Sequence, residues 1–221
     1  MSPLAKFRRI LPLLLTDCIQ DGHSYNSLTK QRSDRAVHYP VNHPDKTLSA
    51  MSDLQLRPAT TDDAALIASI HAASWRATYR GLLPDAFLDQ DVVTDRAAHW
   101  QARLNAPGAD RRLVVIAERA HAAIGFACVE RQIASQWGVL LDNLHALPGH
   151  QGIGVGKLLM RAASDWARAQ GETQLYLYVL EGNTQAIAFY ERQGWQPAGA
   201  EPDHMGGVDI TALRYIYRLD D

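Results

Sequence analysis

The chain has 221 residues and a formal net charge of −2, and apolar residues make up 47% of it. This composition predicts one globular domain, with or without an appendage, and excludes collagen-like and low-complexity classes. The two cysteines, Cys18 and Cys128, are too few for a disulfide framework or a thiolate zinc site, and we expect no metal. The chain has no basic excess, and no segment approaches the roughly 20 apolar residues that span a bilayer. We therefore expect neither nucleic acid nor a membrane as a partner.

Residues 1–50 differ from the rest of the chain in charge and pattern. They hold seven basic and four acidic residues, whereas residues 51–221 hold 15 basic and 20 acidic residues. Because they show neither strand nor helix periodicity, we expect residues 1–50 to be a disordered extension and 51–221 to form the domain. A second hypothesis is that translation starts at Met51. The short apolar run near the start lacks the cleavage site of a signal peptide, so we expect a cytoplasmic protein.

The periodicity of apolar residues after Met51 predicts alternating strands and helices. In chain order we expect strands at 54–57, 113–117, 124–129, 137–146, 175–180, from Trp195 and at 210–219, with helices from Thr60 or Thr61 and at 92–105, 154–170 and 183–193. The first helix is expected to bury one stripe of apolar side chains, Ala65, Leu66, Ala68, Ile70 and Ala73. The order β-α-α-β-β-β-α-β-α-β-β predicts an α/β domain with a mixed sheet.

A glycine-rich stretch over 148–157 lies between a predicted strand and a predicted helix. Its amide N–H groups and the helix N-terminus can converge on one anion, as a pyrophosphate requires, and Gln151 and Lys157 can add side-chain contacts. A P-loop would need Ser or Thr where Leu158 stands, and a Rossmann fingerprint would need glycine where Lys157 stands. A structural turn without a ligand is a further interpretation.

Four motifs over about residues 54–219 resemble the GNAT superfamily of N-acetyltransferases. They are Gln151-x-x-Gly154-x-Gly156, like the acetyl-CoA loop; Leu144-His145-Ala146-Leu147-Pro148, like the preceding strand end, with Ala146 where Val is usual; Asn183-x-x-Ala186-x-x-Phe189-Tyr190-x-x-x-Gly194-Trp195; and His71-x-x-x-Trp75-Arg76-x-x-Tyr79-x-Gly81, like one subgroup. The first and third motifs stand in the family's order, which makes a chance match improbable.

The resemblance implies the acyl-CoA N-acyltransferase (GNAT) fold, a mixed central β-sheet flanked by helices. It implies transfer of an acetyl group from acetyl-CoA to a primary amine of a small molecule or peptide, by direct attack in a ternary complex. The implied acetyl-CoA contacts are Leu144, His145, Ala146, Gln151, Gly152, Ile153, Gly154, Val155, Gly156, Lys157, Asn183 and Tyr190. Tyr190 matches the family's general acid, and an amide of Leu144 or Ala146 is expected to polarise the thioester carbonyl.

The general base is less clearly indicated than the acid. Many relatives carry a Glu early in the strand where this chain has Leu140 and Leu141. The titratable groups available there are Asp142 and His145, which we take as catalytic candidates, and Glu130 is a third.

The acceptor site is expected between the early helices and the last hairpin. Trp75, Tyr79 and Arg80 are the predicted substrate-binding residues, because an aromatic wall suits a cationic amine; an aromatic core seam is the other interpretation. Two further functions stay open: a non-catalytic acyl-CoA-binding or sensing module, and a protein that binds NAD or ATP through the glycine loop. The C-terminal hairpin is of a kind that often pairs in a homodimer.

Overall fold

The computed structural model describes residues 53–132 and 135–219, so the predictions for residues 1–50 and for a start at Met51 lie outside it. The strands are β1 Leu54–Pro58, β2 Arg112–Arg119, β3 Ala122–Arg131, β4 Val139–Ala146, β5 Gln174–Leu180, β6 Gln196–Met205 and β7 Val208–Arg218. The helices are α1 Ala64–Thr78, α2 Val92–Asn105, α3 Val155–Ala169 and α4 Thr184–Arg192, with a π-helical turn at Phe87–Asp91 and 3₁₀ turns at Thr61–Asp63 and Ala109–Arg111. The predicted order of elements is confirmed. None of the described helices is long and apolar enough to cross a membrane.

The seven strands form one mixed sheet in the order β1-β2-β3-β4-β5-β7-β6. Every neighbouring pair is antiparallel except β4 and β5, which run parallel and pair only as Val139 with Leu175 and Leu140 with Tyr176. Within the described part of the chain the two strands have no further pairing, and they diverge beyond Leu140. This gap opens at the carboxyl ends of the parallel strands, where α/β sheets bind their ligands.

The helices cover both faces of the sheet. α3 and α4 pack on one face around Leu159 and Leu177, and α1 and α2 pack on the other around Trp100 and Phe126. Burying both faces explains why β5 reads as a nearly continuous apolar run.

The predicted buried stripe of α1 is partly wrong. Ala65 is exposed, whereas Ile67, which the prediction left out, is fully buried. The buried face of α1 also carries His71 and Ser74, which are 2% and 6% exposed. Because polar side chains occupy part of the buried face, the apolar residues alone do not mark its centre.

A β-bulge sets the conformation of β4 beside the gap. Asn143 pairs with Cys128 and Leu141 pairs with Val129, so Asp142 is the extra residue between two successive pairs. A bulge turns the extra side chain away from the regular alternation of the strand. The carboxylate of Asp142 accordingly meets α2.

A buried ion cluster ties α2 to β3 and β4. Arg103 Nη2 lies 2.7 Å from Glu130 Oε2 and 3.1 Å from Asp142 Oδ2, and Arg112 Nη2 lies 3.2 Å from Glu130 Oε1. The Arg103 side chain is 1% exposed and that of Asp142 is 4% exposed. Burial raises the pKa of Asp142, and the Arg103 guanidinium only partly opposes this because two carboxylates share it. The cluster therefore holds Asp142 in place, while burial leaves its carboxyl relatively basic.

The ion cluster makes stability depend on Arg103 in a pH-dependent way. We expect Arg103→Met to lower the free energy of unfolding by about 3 kcal/mol at neutral pH, because two buried carboxylates lose their shared cation. The change raises the folded-state pKa of Asp142 further above its unfolded value. The lost stability is therefore largest at neutral pH and is recovered as the pH falls and Asp142 is protonated.

Urea unfolding at neutral and mildly acidic pH measures this effect. Arg168→Met is the matched control, since Arg168 is exposed and lies 3.3 Å from Asp165 at the surface. It is expected to change the unfolding free energy by less than about 0.5 kcal/mol at either pH. An equal loss for Arg103→Met at both pH values would contradict the interpretation.

Candidate active site

A cleft of about 970 Å³ opens where β4 and β5 diverge. It runs from the glycine loop and α4 at one end to α1, α2 and the β6–β7 hairpin at the other. The predicted site residues that line it are Trp75, Tyr79, Asp142, Leu144, His145, Ala146, Gln151, Gly152, Ile153, Gly154, Gly156, Lys157, Asn183 and Tyr190. Residues far apart in sequence thus face one space.

Two of the predicted binding residues do not line the cleft. The Val155 side chain is 1% exposed and packs in the core below α3. Arg80 lies at the surface, where its guanidinium pairs with Asp85 at 2.9 Å and with Asp89 at 2.7 Å. The Arg80 charge is thus directed to two neighbouring carboxylates, away from the cleft.

The glycine loop combines a turn with a close helix contact. Gly154 has φ +97° and caps the N-terminus of α3, a conformation that other residues adopt only with strain. Gly156 has a different reason to be glycine, because a Cβ there would lie 3.0 Å from Cζ of Phe189 on α4. Lys157 and Arg192 add two basic side chains to this end of the cleft. A helix N-terminus between basic side chains fits the diphosphate of coenzyme A.

The open edge of β4 supplies main-chain hydrogen-bonding groups. From Leu141 to Ala146 the strand pairs with β3 on one side, and the described residues give it no β5 partner on the other. Alternate N–H and C=O groups of such a strand point into the gap. This arrangement suits both the predicted amide contact and an extended, amide-containing ligand.

Two tyrosines and Asn183 form the wall beside α4. Tyr190 is 9% exposed, and burial, with a smaller effect of nearby Tyr79, raises its pKa above the usual range. Burial raises the pKa of Tyr79 to about 12, although a hydrogen bond with the Asn183 side chain opposes the shift. Asn183 also caps α4, since its Oδ1 accepts the N–H of Ala186 at 3.2 Å. Both phenols therefore carry their protons at neutral pH and can donate hydrogen bonds.

The two histidines of this cleft wall are neutral. His145 Nδ1 lies 3.0 Å from Oγ of Ser74, and burial, reinforced by Arg96, lowers the pKa of His145 to about 3. Its ring centroid lies 4.3 Å from that of His71, whose pKa burial lowers well below the usual value. The indole N–H of Trp100 donates to His71 Nδ1 at 2.9 Å, so the proton of the neutral His71 ring sits on Nε2.

Of the three candidate bases, two line the cleft. Asp142 and His145 do so, whereas Glu130 does not and instead pairs with Arg103 and Arg112. The raised pKa of Asp142 makes its carboxylate a stronger base, and the lowered pKa of His145 makes the imidazole a weaker one. Asp142 is therefore the better matched proton acceptor of the pair.

Aromatic residues form the opposite end of the cleft. Trp75 and Tyr79 meet edge to face at 5.4 Å, and Phe87 from the π-helical turn lies 6.3 Å from Trp75. The Arg96 guanidinium lies 4.5 Å from the Trp75 ring centroid, and its Nε donates to Asp95 at 2.8 Å. The charge of Arg96 is thereby matched by Asp95.

Several lining residues were missed by the sequence analysis, among them Arg96, Asp203 and His204. Arg96 had a signal: Val92, Arg96, Trp100 and Arg103 recur on one face of the predicted helix, and a charge within an apolar face indicates a buried partner. The stretch of β6 around Asp203 had none, because it shows no apolar alternation and its position depends on register with β7.

In residues 53–132 and 135–219, no group of three or more His, Cys, Asp or Glu side chains is arranged to hold a metal ion.

Known acetyltransferases are similar to this chain in sequence. The family model described as the acetyltransferase (GNAT) family matches residues 68–195. Streptothricin acetyltransferase of Streptomyces lavendulae is 36% identical over 93 residues, which are 42% of this chain and 49% of that protein, so the match spans about half of the relative.

Two solved structures share the fold. A GCN5-related N-acetyltransferase of Rhodopseudomonas palustris superposes with a TM-score of 0.61 at 24% identity, covering 76% of this chain and 97% of the other. The PaiA N-acetyltransferase of Thermoplasma acidophilum, solved with coenzyme A, superposes with a TM-score of 0.57 at 18% identity, covering 72% and 97%. The cleft, the loop and the family match lead to one conclusion: the chain belongs to the acetyltransferase (GNAT) family, whose acetyl donor is acetyl-CoA.

Proposed function

We propose that this chain transfers the acetyl group of acetyl-CoA to a primary amine of a small molecule or peptide, by direct attack within a ternary complex. The observation that carries the proposal is the single cleft that brings together the glycine loop, the open edge of β4 and the Tyr190 hydroxyl. Binding groups at one end and proton-transfer groups in the middle leave the aromatic end for the acceptor.

Acetyl-CoA supplies an activated acetyl thioester when it is bound. The amides of the loop around Gly154, with Lys157, would hold its diphosphate at the N-terminus of α3. A main-chain N–H of Leu144 or Ala146 on the open edge of β4 would donate to the thioester oxygen, where negative charge develops during attack. Asn183, fixed by Ala186 and Tyr79, would orient the arm.

Tyr190 is assigned as the group that meets the departing sulfur. Its raised pKa keeps the O–H protonated across the neutral range, so a donor is always present. Because this pKa lies above that of a thiol, the hydroxyl stabilises the departing thiolate as a hydrogen-bond donor, and any proton that passes to the sulfur is replaced on Tyr190 from solvent.

Asp142 is assigned as the base that removes a proton from the attacking amine, with His145 as the second candidate. His145 is neutral, so near Asp142 it acts as a hydrogen-bonding partner for amine or water without adding charge. Trp75 and Tyr79 would contact the acceptor through their aromatic faces.

Two other functions are less well supported. A non-catalytic acyl-CoA-binding module would need the loop but not Tyr190 and Asp142 in the same cleft. A protein that binds NAD or ATP would need the Rossmann or P-loop residues that this loop lacks.

Ligand binding and turnover test the proposal directly. We expect saturating acetyl-CoA to raise the melting temperature by several degrees, and NAD or ATP to leave it unchanged. An amine library that includes amino acids, polyamines, peptides and streptothricin is then screened for release of free coenzyme A. No thermal shift with acetyl-CoA would contradict donor binding, and no turnover of any amine would contradict the transferase assignment.

Replacing Tyr190 with Phe separates chemistry from binding. We expect Tyr190→Phe to lower kcat by roughly 10- to 100-fold, because the thiolate loses its donor, while acetyl-CoA affinity changes little. Tyr215→Phe is the control: Tyr215 is buried and donates to Glu191 at 2.9 Å, outside the cleft lining. If both variants lose the same fraction of kcat, the effect is structural and the assigned role is wrong.

The two candidate bases predict different pH profiles. With Asp142 as base, kcat/KM of the wild type falls on the acid side through the raised pKa of Asp142, and Asp142→Asn removes this limb. His145 titrates at about 3, so His145→Gln is expected to keep the limb. Acetyl-CoA binding reports whether each cleft is intact. A limb that persists in Asp142→Asn and disappears in His145→Gln would reverse the assignment.

A further inference from the structure

The charges of the cleft are distributed unevenly along it. Lys157 and Arg192 stand at the end of the glycine loop. At the aromatic end, Arg96 is matched by Asp95 and His204 is paired with Asp209 at 2.8 Å, which leaves the carboxylate of Asp203 as the further charged group of this wall among the described lining residues. An acceptor approaching this end therefore meets negative charge.

Asp203 has one hydrogen-bonded oxygen and one without a partner. Its Oδ1 accepts the N–H of His204 at 2.7 Å. Its Oδ2 is buried and has no hydrogen-bond partner among the described residues, although Asp203 lines the cleft. A buried carboxylate oxygen is normally hydrogen-bonded or paired with a cation. This oxygen is therefore suited to a donor group that a ligand brings.

The register of the hairpin places Asp203 away from the proton-transfer groups. The last pair of β5 with β7 is Leu180 with Ala212, and Asp203 pairs with Ile210, two residues beyond. Asp142 lies only two residues past Leu140, whose pairing with Tyr176 is the last between β4 and β5. Tyr176 precedes Leu180 by four residues on β5, so Asp203 is about four residues further along than Asp142. At about 3.3 Å per residue, Asp203 stands roughly 13 Å further along the sheet direction than Asp142. A group held by Asp203 is therefore not the amine that Asp142 deprotonates.

We infer that Asp203 binds a second cationic group of the acceptor, so that the acceptor class is a dicationic amine: a diamine, a polyamine or a peptide with two basic groups. The inference rests on the proposed transferase function. The second ammonium or guanidinium donates to Asp203 Oδ2, and the aliphatic part of the acceptor packs against Trp75 and Phe87, which line the same end. The acceptor is thus fixed at one end while its other end reaches the thioester.

Selectivity between matched amines tests the inference. Diamines from 1,3-diaminopropane to 1,8-diaminooctane are compared with monoamines of equal carbon number, with acetyl-CoA saturating and kcat/KM measured from coenzyme A release. We expect the wild type to favour diamines at least about tenfold, with an optimum at the longer members, and Asp203→Asn to reduce the ratio towards one.

Glu181→Gln is the matched control. Glu181 follows β5 beside the hairpin, where its N–H donates to the carbonyl of Thr211 at 3.0 Å, and its exposed side chain is outside the cleft lining, so one negative charge is removed without touching the site. We expect it to keep the diamine preference. An equal loss of preference in both variants would show a long-range charge effect and overturn the assignment of Asp203.

The outcomes separate this inference from the function on which it rests. Turnover without a diamine preference, or a preference that survives Asp203→Asn, overturns the role of Asp203 and leaves the transferase function standing. Binding of acetyl-CoA without turnover of any amine contradicts the transferase function itself, and the inference falls with it. If Asp203→Asn fails to bind acetyl-CoA, Asp203→Ser is used for the same comparison.

Discussion

The cleft exists because β4 and β5 pair at only two positions. After Val139 and Leu140, β4 turns away from β5, and its outer edge loses its strand partner within the described residues. Unpaired main-chain groups are normally a liability of a sheet, because they are unsatisfied or invite another strand. Here they line a cavity in which an extended ligand can satisfy them. The glycine loop, α4 and the hairpin act as a site only because this edge is open.

The bulge at Asp142 and the ion cluster below it give this open strand its rigidity. Arg103 binds carboxylates from β3 and β4 at once, so α2 is fixed to the sheet beside the point where pairing with β5 ends. Burial raises the pKa of Asp142, and Arg103, which also binds Glu130, opposes this shift only in part, so Asp142 is more basic than an ordinary aspartate. Asp142 therefore serves both to anchor β4 to α2 and, in the proposed reaction, to accept the proton.

The fold and the donor half of the cleft could be predicted from the sequence, whereas the acceptor half could not. Gly154, Gly156 and Asn183 carry local requirements for a turn, a close helix contact and a helix cap, and such requirements are visible in short spacings. Asp203 and Arg96 depend on strand register and on which polar residues a helix buries, and neither is encoded in a short pattern. Arg80 is the opposite case. The sequence predicted it as a substrate-binding residue, but nearby Asp85 and Asp89 pair with it at the surface.

The protonation states of the cleft narrow what it can accept. Burial keeps Tyr79 and Tyr190 protonated and keeps His71 and His145 neutral, so none of these four side chains carries charge at neutral pH. The field felt by an acceptor then comes from a few fixed charges, and at the aromatic end the uncompensated one is Asp203. In a poorly hydrated cleft a single charge acts strongly. Neutral walls and one carboxylate thus favour an acceptor that brings a cation to the site in addition to the amine that reacts.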